Sequence, residues 1–200
     1  MIDRFYPVVP TSEWVARLVA AGARFVQLRI KDQPEPELRR QVRDAKAVCE
    51  QHGAALIVND YWKIAIEEEC PWVHLGQEDL VDADIAAIRR AGLRLGVSTH
   101  DHAELEKGLA TDPDYVALGP IYPTLLKRMA FGPQGLERIG EWKKLIGRRP
   151  LVAIGGLTLE RALLCLKAGA DSAAVVGDIV NNQDPVAQAV KWIAATRHAA

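Results

Sequence analysis

Short β-rich apolar runs alternate with amphipathic stretches eight times along this chain, and that alternation restricts the fold more than any other feature. The apolar runs fall at 5–9, 25–29, 55–59, 72–75, 94–98, 115–118, 151–154 and 172–176. Each is apolar at most positions, the pattern of parallel strands buried on both faces. Helical patterns lie between them, at 13–21, 35–52, 62–69, 83–91, 102–109, 136–146, 159–168 and 185–196. Several helices run into a glycine, at Gly22, Gly53, Gly92 and Gly169, where a left-handed C-cap turns the chain back to the sheet. Thr11-Ser12 and Asp184-Pro185 mark helix starts. Eight strand–helix units in 200 residues predict one (β/α)8 TIM barrel over residues 1–200, a single domain at the short end of the size range for that fold. An open doubly wound sheet is the competitor. It is disfavoured by the count of eight and by the lack of a Gly-rich fingerprint after the first strand. The one long connection, 119–134, has the length of a functional loop.

Charge decides what such a barrel can attract. The 25 basic residues nearly cancel the 26 acidic ones, which argues against nucleic-acid or anionic-membrane partners and leaves small molecules. Any bound anion must be met by a local cluster of cations. No apolar run reaches membrane-spanning length, and Met1-Ile2-Asp3-Arg4 does not lead into a signal-peptide core, so a soluble cytoplasmic protein is expected. Cys49, Cys70 and Cys165 form no CxxC pair and read as packing residues of a reducing compartment.

In a barrel the chemistry lies at the C-terminal ends of the strands. The unusual polar residues of this chain cluster there. In Gln27-Leu28-Arg29-Ile30-Lys31, alternation places an amide and two cations on one side, fit to meet phosphate. Strand three ends in Asn59-Asp60, either of which could cap the next helix, though capping needs only one. Strand four ends His74-Leu75-Gly76-Gln77-Glu78-Asp79 and supplies a second acidic cluster. Carboxylates on adjacent strand ends would repel an anion drawn by Arg29 and Lys31. Mg²⁺ bridging a diphosphate reconciles the two. His74 is expected as a hydrogen-bonded packing residue. Ser98 can donate to a phosphate oxygen or a ring nitrogen. With no His–Asp pair evident to activate it, a hydrolase nucleophile is rejected. Lys127, on the long loop, reads as a lid cation or as a solvent lysine. Gly155-Gly156 and Gly177, after strands seven and eight, suit a backbone phosphate cradle.

The motifs VQLRIKD (26–32), VNDY (58–61), HLGQEDL (74–80), GVSTH (96–100), ALGPIYPT (117–124), AIGG (153–156) and GADSAAVV (169–176) together resemble the thiamine-phosphate synthase family. They stand in the family's order across nearly the whole chain. The resemblance implies a transferase that joins 4-amino-5-hydroxymethyl-2-methylpyrimidine diphosphate to a thiazole phosphate and releases pyrophosphate. It implies that Gln27, Arg29, Lys31, Asn59, Ser98 and Lys127 bind the pyrimidine diphosphate, with Arg29, Ser98 and Lys127 serving the chemistry. Asp60 and Asp79 would hold Mg²⁺. Thr124, Gly156, Val176 and Gly177 would line the thiazole phosphate. Relatives are often dimers, so the resemblance allows a homodimer. Two departures stand out: Leu126 replaces a second Thr of the family loop, and Gly177 stands where many members carry Ser. Two rivals share the barrel. A thiazole tautomerase relative carries His where this chain has Pro120, and a non-catalytic thiamine-precursor binding protein would not need Asp60, Asp79 and Lys127.

Overall fold

The computed structural model describes residues 2–124 and 132–197. Eight parallel strands close into a barrel in sequence order, β1-β2-β3-β4-β5-β6-β7-β8, which excludes the open doubly wound sheet. The first half runs β1 (Phe5–Val9), α1 (Ser12–Ala20), β2 (Phe25–Leu28), α2 (Glu35–Gln51), β3 (Ala55–Asn59), α3 (Trp62–Glu67), β4 (Trp72–Leu75), α4 (Gln77–Asp82) and α5 (Ile85–Arg90). The second half runs β5 (Arg94–Thr99), α6 (His102–Ala110), β6 (Tyr115–Leu118), α7 (Gly135–Ile146), β7 (Leu151–Ile154), α8 (Leu159–Lys167), β8 (Ser172–Val175), α9 (Gly177–Val180) and α10 (Pro185–Arg197). The ring closes where β1 meets β8: Phe5 lies opposite Ala173, the Ala173 N–H donates to Arg4 O at 2.9 Å, and Ser172 Oγ donates to Asp3 O at 2.7 Å.

The local signals behave as expected. Gly22, Gly53, Gly92 and Gly169 all have positive φ, and Thr11 and Asp184 accept from the N–H groups of Trp14 and Ala187. Two short helices were not expected. Residues 76–79 are expected at the end of the fourth strand, but Asp79 Oδ2 accepts from Gly76 N–H at 3.1 Å and closes a capping arrangement that starts α4. The chain after β8 likewise turns straight into α9, with Asp178 accepting from Gln188 Nε2 and Trp192 Nε1 of α10. Sequence periodicity resolves neither, because both helices are too short to show a repeat.

Strand alternation divides the core in two. Side chains on one face pack against the helices, while Tyr6, Phe25, Ile57, Trp72, Tyr115 and Val152 fill the barrel interior. The interior is aromatic on one side, with the Phe25 and Trp72 rings edge-on at 5.2 Å. Gly96 makes room for this. It lies opposite Tyr115, and a Cβ on Gly96 would fall 2.0 Å from the Tyr115 ring. Gly96→Ala should therefore lower stability by about 1–3 kcal/mol, the usual range for overpacking. Urea unfolding at constant m-value would measure it, and an unchanged midpoint would contradict the packing account.

The two ends of the barrel differ in character. At the N-terminal end, Asp114 and Asp171 accept from Leu95 N–H and Leu151 N–H, at 2.8 and 2.7 Å, while pairing with Arg89 and Lys143. A concavity of about 590 Å³ lies here, but its Arg89 and Arg149 are engaged by Asp114 and Asp112. This end braces the strands. The site must be sought at the other.

Candidate active site

The inward parity that fills the core continues up to the mouth. Register pairs Gln27 with Ile57, Asn59 with His74, His74 with Gly96, and Ser98 with Ala117. Gln27, Asn59, His74 and Ser98 thus project to the same side as Phe25, Ile57, Trp72 and Tyr115. These four strand-end residues converge on one mouth.

Arg29 lies one position beyond β2, with its N–H donating to Val9 O at 2.8 Å. Its side chain is exposed and makes no ion pair among the described residues. Lys31 Nζ meets Asp60 Oδ2 at 2.6 Å, with Lys31 half exposed and Asp60 largely covered. Asp60 has the wrong parity to face inward from a regular strand. Its φ of 64° is a left-handed conformation unusual for a residue other than glycine, while its N–H still donates to His74 O on β4 at 2.9 Å. Beside it stands Asp79. Burial first, and the neighbouring Asp60 carboxylate second, raise the Asp79 carboxyl above its ordinary range. Two carboxylates therefore share one lysine, and the arrangement lacks positive charge.

Asn59 is 5% exposed, and its Nδ2 is the one buried side-chain nitrogen or oxygen among the described residues with no hydrogen-bond partner. A buried orphan donor costs about 1–3 kcal/mol unless a ligand supplies an acceptor. His74 is buried and hydrogen-bonded as expected, but one of its partners was not. Its Nε2 lies 2.8 Å from Ser98 Oγ, so a Ser–His pair exists that the sequence did not reveal. It is not a hydrolase triad. Nδ1 of His74 faces the Tyr115 hydroxyl at 2.8 Å rather than a carboxylate, and burial pushes the imidazole pKa down to about 4. Gln77 Nε2 donates to Ser98 O at 2.7 Å and holds the end of β5 in place. Tyr6, Tyr115 and Gln77 were missed as site residues. The available signal was Gly96, since a glycine within a strand marks close approach by another side chain.

On the opposite rim, Gly155 and Gly156 have φ of 98° and 66°. Their lack of Cβ serves the loop as well as any ligand: a Cβ on Gly156 would lie 2.4 Å from Pro123 O, and one on Gly155 2.6 Å from Pro120 Cα. The loop is pinned by Ile121 N–H to Ile154 O and Tyr122 N–H to Gly155 O, at 2.9 and 3.1 Å. Thr124, Gly156, Val176 and Gly177 are all partly exposed on this rim. Lys127 and Leu126 lie outside the described residues.

A parallel eight-stranded barrel with a cation, two adjacent carboxylates and an orphan amide at its strand ends has the layout of a small-molecule site. Comparison with known proteins gives the family. A family model described as "Thiamine monophosphate synthase" matches residues 5–179. A thiamine-phosphate synthase of Rhizobium etli is 60% identical over 98% of this chain and 96% of its own length. One of Cronobacter sakazakii is 49% identical over 96% and 88%. Among solved structures, a thiamine phosphate pyrophosphorylase from Pyrococcus furiosus superposes with a TM-score of 0.86 at 25% identity, over 98% and 96% of the two chains. The chain belongs to the thiamine monophosphate synthase family.

Proposed function

We propose that this chain is a single-domain thiamine-phosphate synthase, a transferase that couples the pyrimidine diphosphate to a thiazole phosphate with loss of pyrophosphate. Family membership supports the activity. The observation that carries the substrate side is the buried Nδ2 of Asn59, without a partner among the described residues, in a mouth that also holds Arg29, exposed and in no ion pair among them. Gln27, Arg29, Lys31, Asn59, Ser98 and Lys127 bind the pyrimidine diphosphate in this reading. The C–O bond to the diphosphate breaks heterolytically, its electron pair leaves with pyrophosphate, and the thiazole nitrogen lone pair closes the new C–N bond. The protein's task is electrostatic. Arg29, Lys31 and Lys127 stabilise charge on the departing group, while Ser98 orients the substrate.

Asp60 and Asp79 fit Mg²⁺. The ion is commonly held by one or two carboxylates together with substrate phosphates and waters, and Asp79, raised first by burial and then by Asp60, stands against a second carboxylate. Bound there, Mg²⁺ supplies neutralisation of the diphosphate. The thiazole phosphate is placed at Thr124, Gly156, Val176 and Gly177. Because Gly177 offers no hydroxyl, backbone N–H groups carry that phosphate, and Gly177→Ser should lower the thiazole-phosphate KM. An unchanged or higher KM would count against this placement. A cytoplasmic location suits three buried, unpaired cysteines, and among the described residues no helix is long and apolar enough to cross a membrane. A homodimer is part of the same reading, and sedimentation as a monomer would remove it.

The deciding assay mixes both substrates with Mg²⁺ and reads thiamine phosphate by mass together with released pyrophosphate. Stoichiometric formation of both products is expected. Binding without turnover, or isomerised thiazole alone, would overturn the proposal.

A further inference from the structure

A chain of hydrogen bonds crosses the barrel interior to the mouth. Gln27 Nε2 donates to the Tyr6 hydroxyl at 2.6 Å, and the Tyr6 and Tyr115 hydroxyl oxygens lie 2.7 Å apart. The Tyr115 hydroxyl lies 2.8 Å from His74 Nδ1, and His74 Nε2 lies 2.8 Å from Ser98 Oγ. The Tyr6 and Tyr115 side chains are fully buried, so no solvent competes along the way. Neither tyrosine hydroxyl is spare acid at neutral pH, since burial raises both pKa values.

The sense of the chain follows from its first link. An amide nitrogen can only donate, so Tyr6 accepts from Gln27 and keeps one proton to give. The acceptor within reach is Tyr115. Tyr115 then gives its own proton to His74 Nδ1, and the neutral imidazole must carry its hydrogen on Nε2, aimed at Ser98 Oγ. The reverse sense would leave the buried Tyr6 proton without an acceptor, which disfavours it on the order of 10- to 100-fold. A nitrogen that accepts carries no hydrogen, so the Tyr115 bond at 2.8 Å leaves Nε2 as the one protonated position, 2.8 Å from Ser98 Oγ. Ser98 therefore receives a hydrogen bond from below, and its own proton is left for the mouth.

We propose that Tyr6, Tyr115 and His74 are positioning residues, a one-way hydrogen-bond relay that presents Ser98 as a donor to a substrate lone pair. The identity of the substrate rests on the synthase reading; the relay itself does not. The lone pair belongs either to a ring nitrogen or to a phosphate oxygen of the pyrimidine diphosphate.

The direct test is ¹⁵N NMR of the full chain with labelled histidine, assigned through bonds, at neutral pH. His74 should be the Nε2–H tautomer. An Nδ1–H tautomer or an imidazolium would overturn the relay, and no variant is needed to see it. A double-mutant cycle adds the functional arm. Tyr115→Phe should lower kcat about tenfold and leave the thiazole-phosphate KM unchanged. In a Ser98→Ala background the same change should cost less than about twofold, because its effect passes through Ser98. Fully additive losses would overturn the proposal, as a merely structural role for Tyr115 predicts them. Tyr6→Phe repeats the cycle one link deeper should Tyr115→Phe fold poorly. Binding to Ser98→Ala identifies the acceptor. Weaker binding of inorganic pyrophosphate supports the relay with a phosphate oxygen as acceptor. Weaker binding of the pyrimidine diphosphate alone supports it with the ring nitrogen, and no weakening of either overturns it. An Nε2–H His74 in a protein without coupling activity would sink the synthase reading and leave the relay standing.

Discussion

Arg29→Ala should reduce coupling by about 10³-fold while leaving thermal stability nearly unchanged. That loss corresponds to about 4 kcal/mol of transition-state stabilisation, the scale of removing a preorganised charged donor from a developing anion. The expectation of intact stability is specific to this residue. The Arg29 side chain is exposed and makes no ion pair among the described residues, and its backbone bond to Val9 survives any substitution except proline. Surface truncations of this kind usually shift stability by no more than about 0.5 kcal/mol. Lys31 lacks this clean separation, because its ammonium already serves Asp60. Steady-state kinetics and a thermal melt on one preparation check both halves. A variant within about threefold of the parent would remove Arg29 from the site, and a large drop in Tm would make it structural.

Asp60→Asn should be nearly as damaging, again about 10³-fold, and Asp60→Ala should add a stability cost that Asn does not. The left-handed backbone at φ 64° explains the difference. Asparagine tolerates that conformation and alanine does not, at a cost of about 1–2 kcal/mol. Asparagine also keeps an oxygen toward Lys31 while removing the charge, so it isolates the electrostatic role. A second readout is the Asp79 carboxyl. Its pKa is raised by burial and then by Asp60, so Asp60→Asn should bring it down toward the ordinary carboxylate value. Carboxyl ¹³C shifts followed against pH would show this without any substrate. Coupling that survives Asp60→Asn would take the metal role away from this residue.

Much of this could be read from the sequence, for a physical reason. Strand parity is local, so Gln27, Arg29 and Lys31 declare a common side, and the barrel places every strand end on one rim. Periodicity and glycine caps likewise marked the strands to within a residue. What escaped depends on the stagger between strands. Tyr6 and Tyr115 come from β1 and β6, and nothing in either strand says that their hydroxyls meet. The same holds for His74 and Ser98, adjacent only because β4 and β5 are in register through His74 and Gly96. Asp60 itself was named from the sequence, but its left-handed φ of 64° was not, since that is a backbone event alternation cannot express. The short helices α4 and α9 fell below the length at which a helical repeat is visible.

The seam between β1 and β8 has a consequence for how the protein is made. A ribosome must pass residue 175 before the first strand can find its last partner. Until then the growing chain exposes two raw strand edges, the β1 edge and whichever strand has just emerged. Long-range parallel pairing is also the slow kind. The vulnerable interval is therefore biosynthetic rather than thermodynamic: a nascent, unclosed arc is the form of this protein most in need of a chaperone.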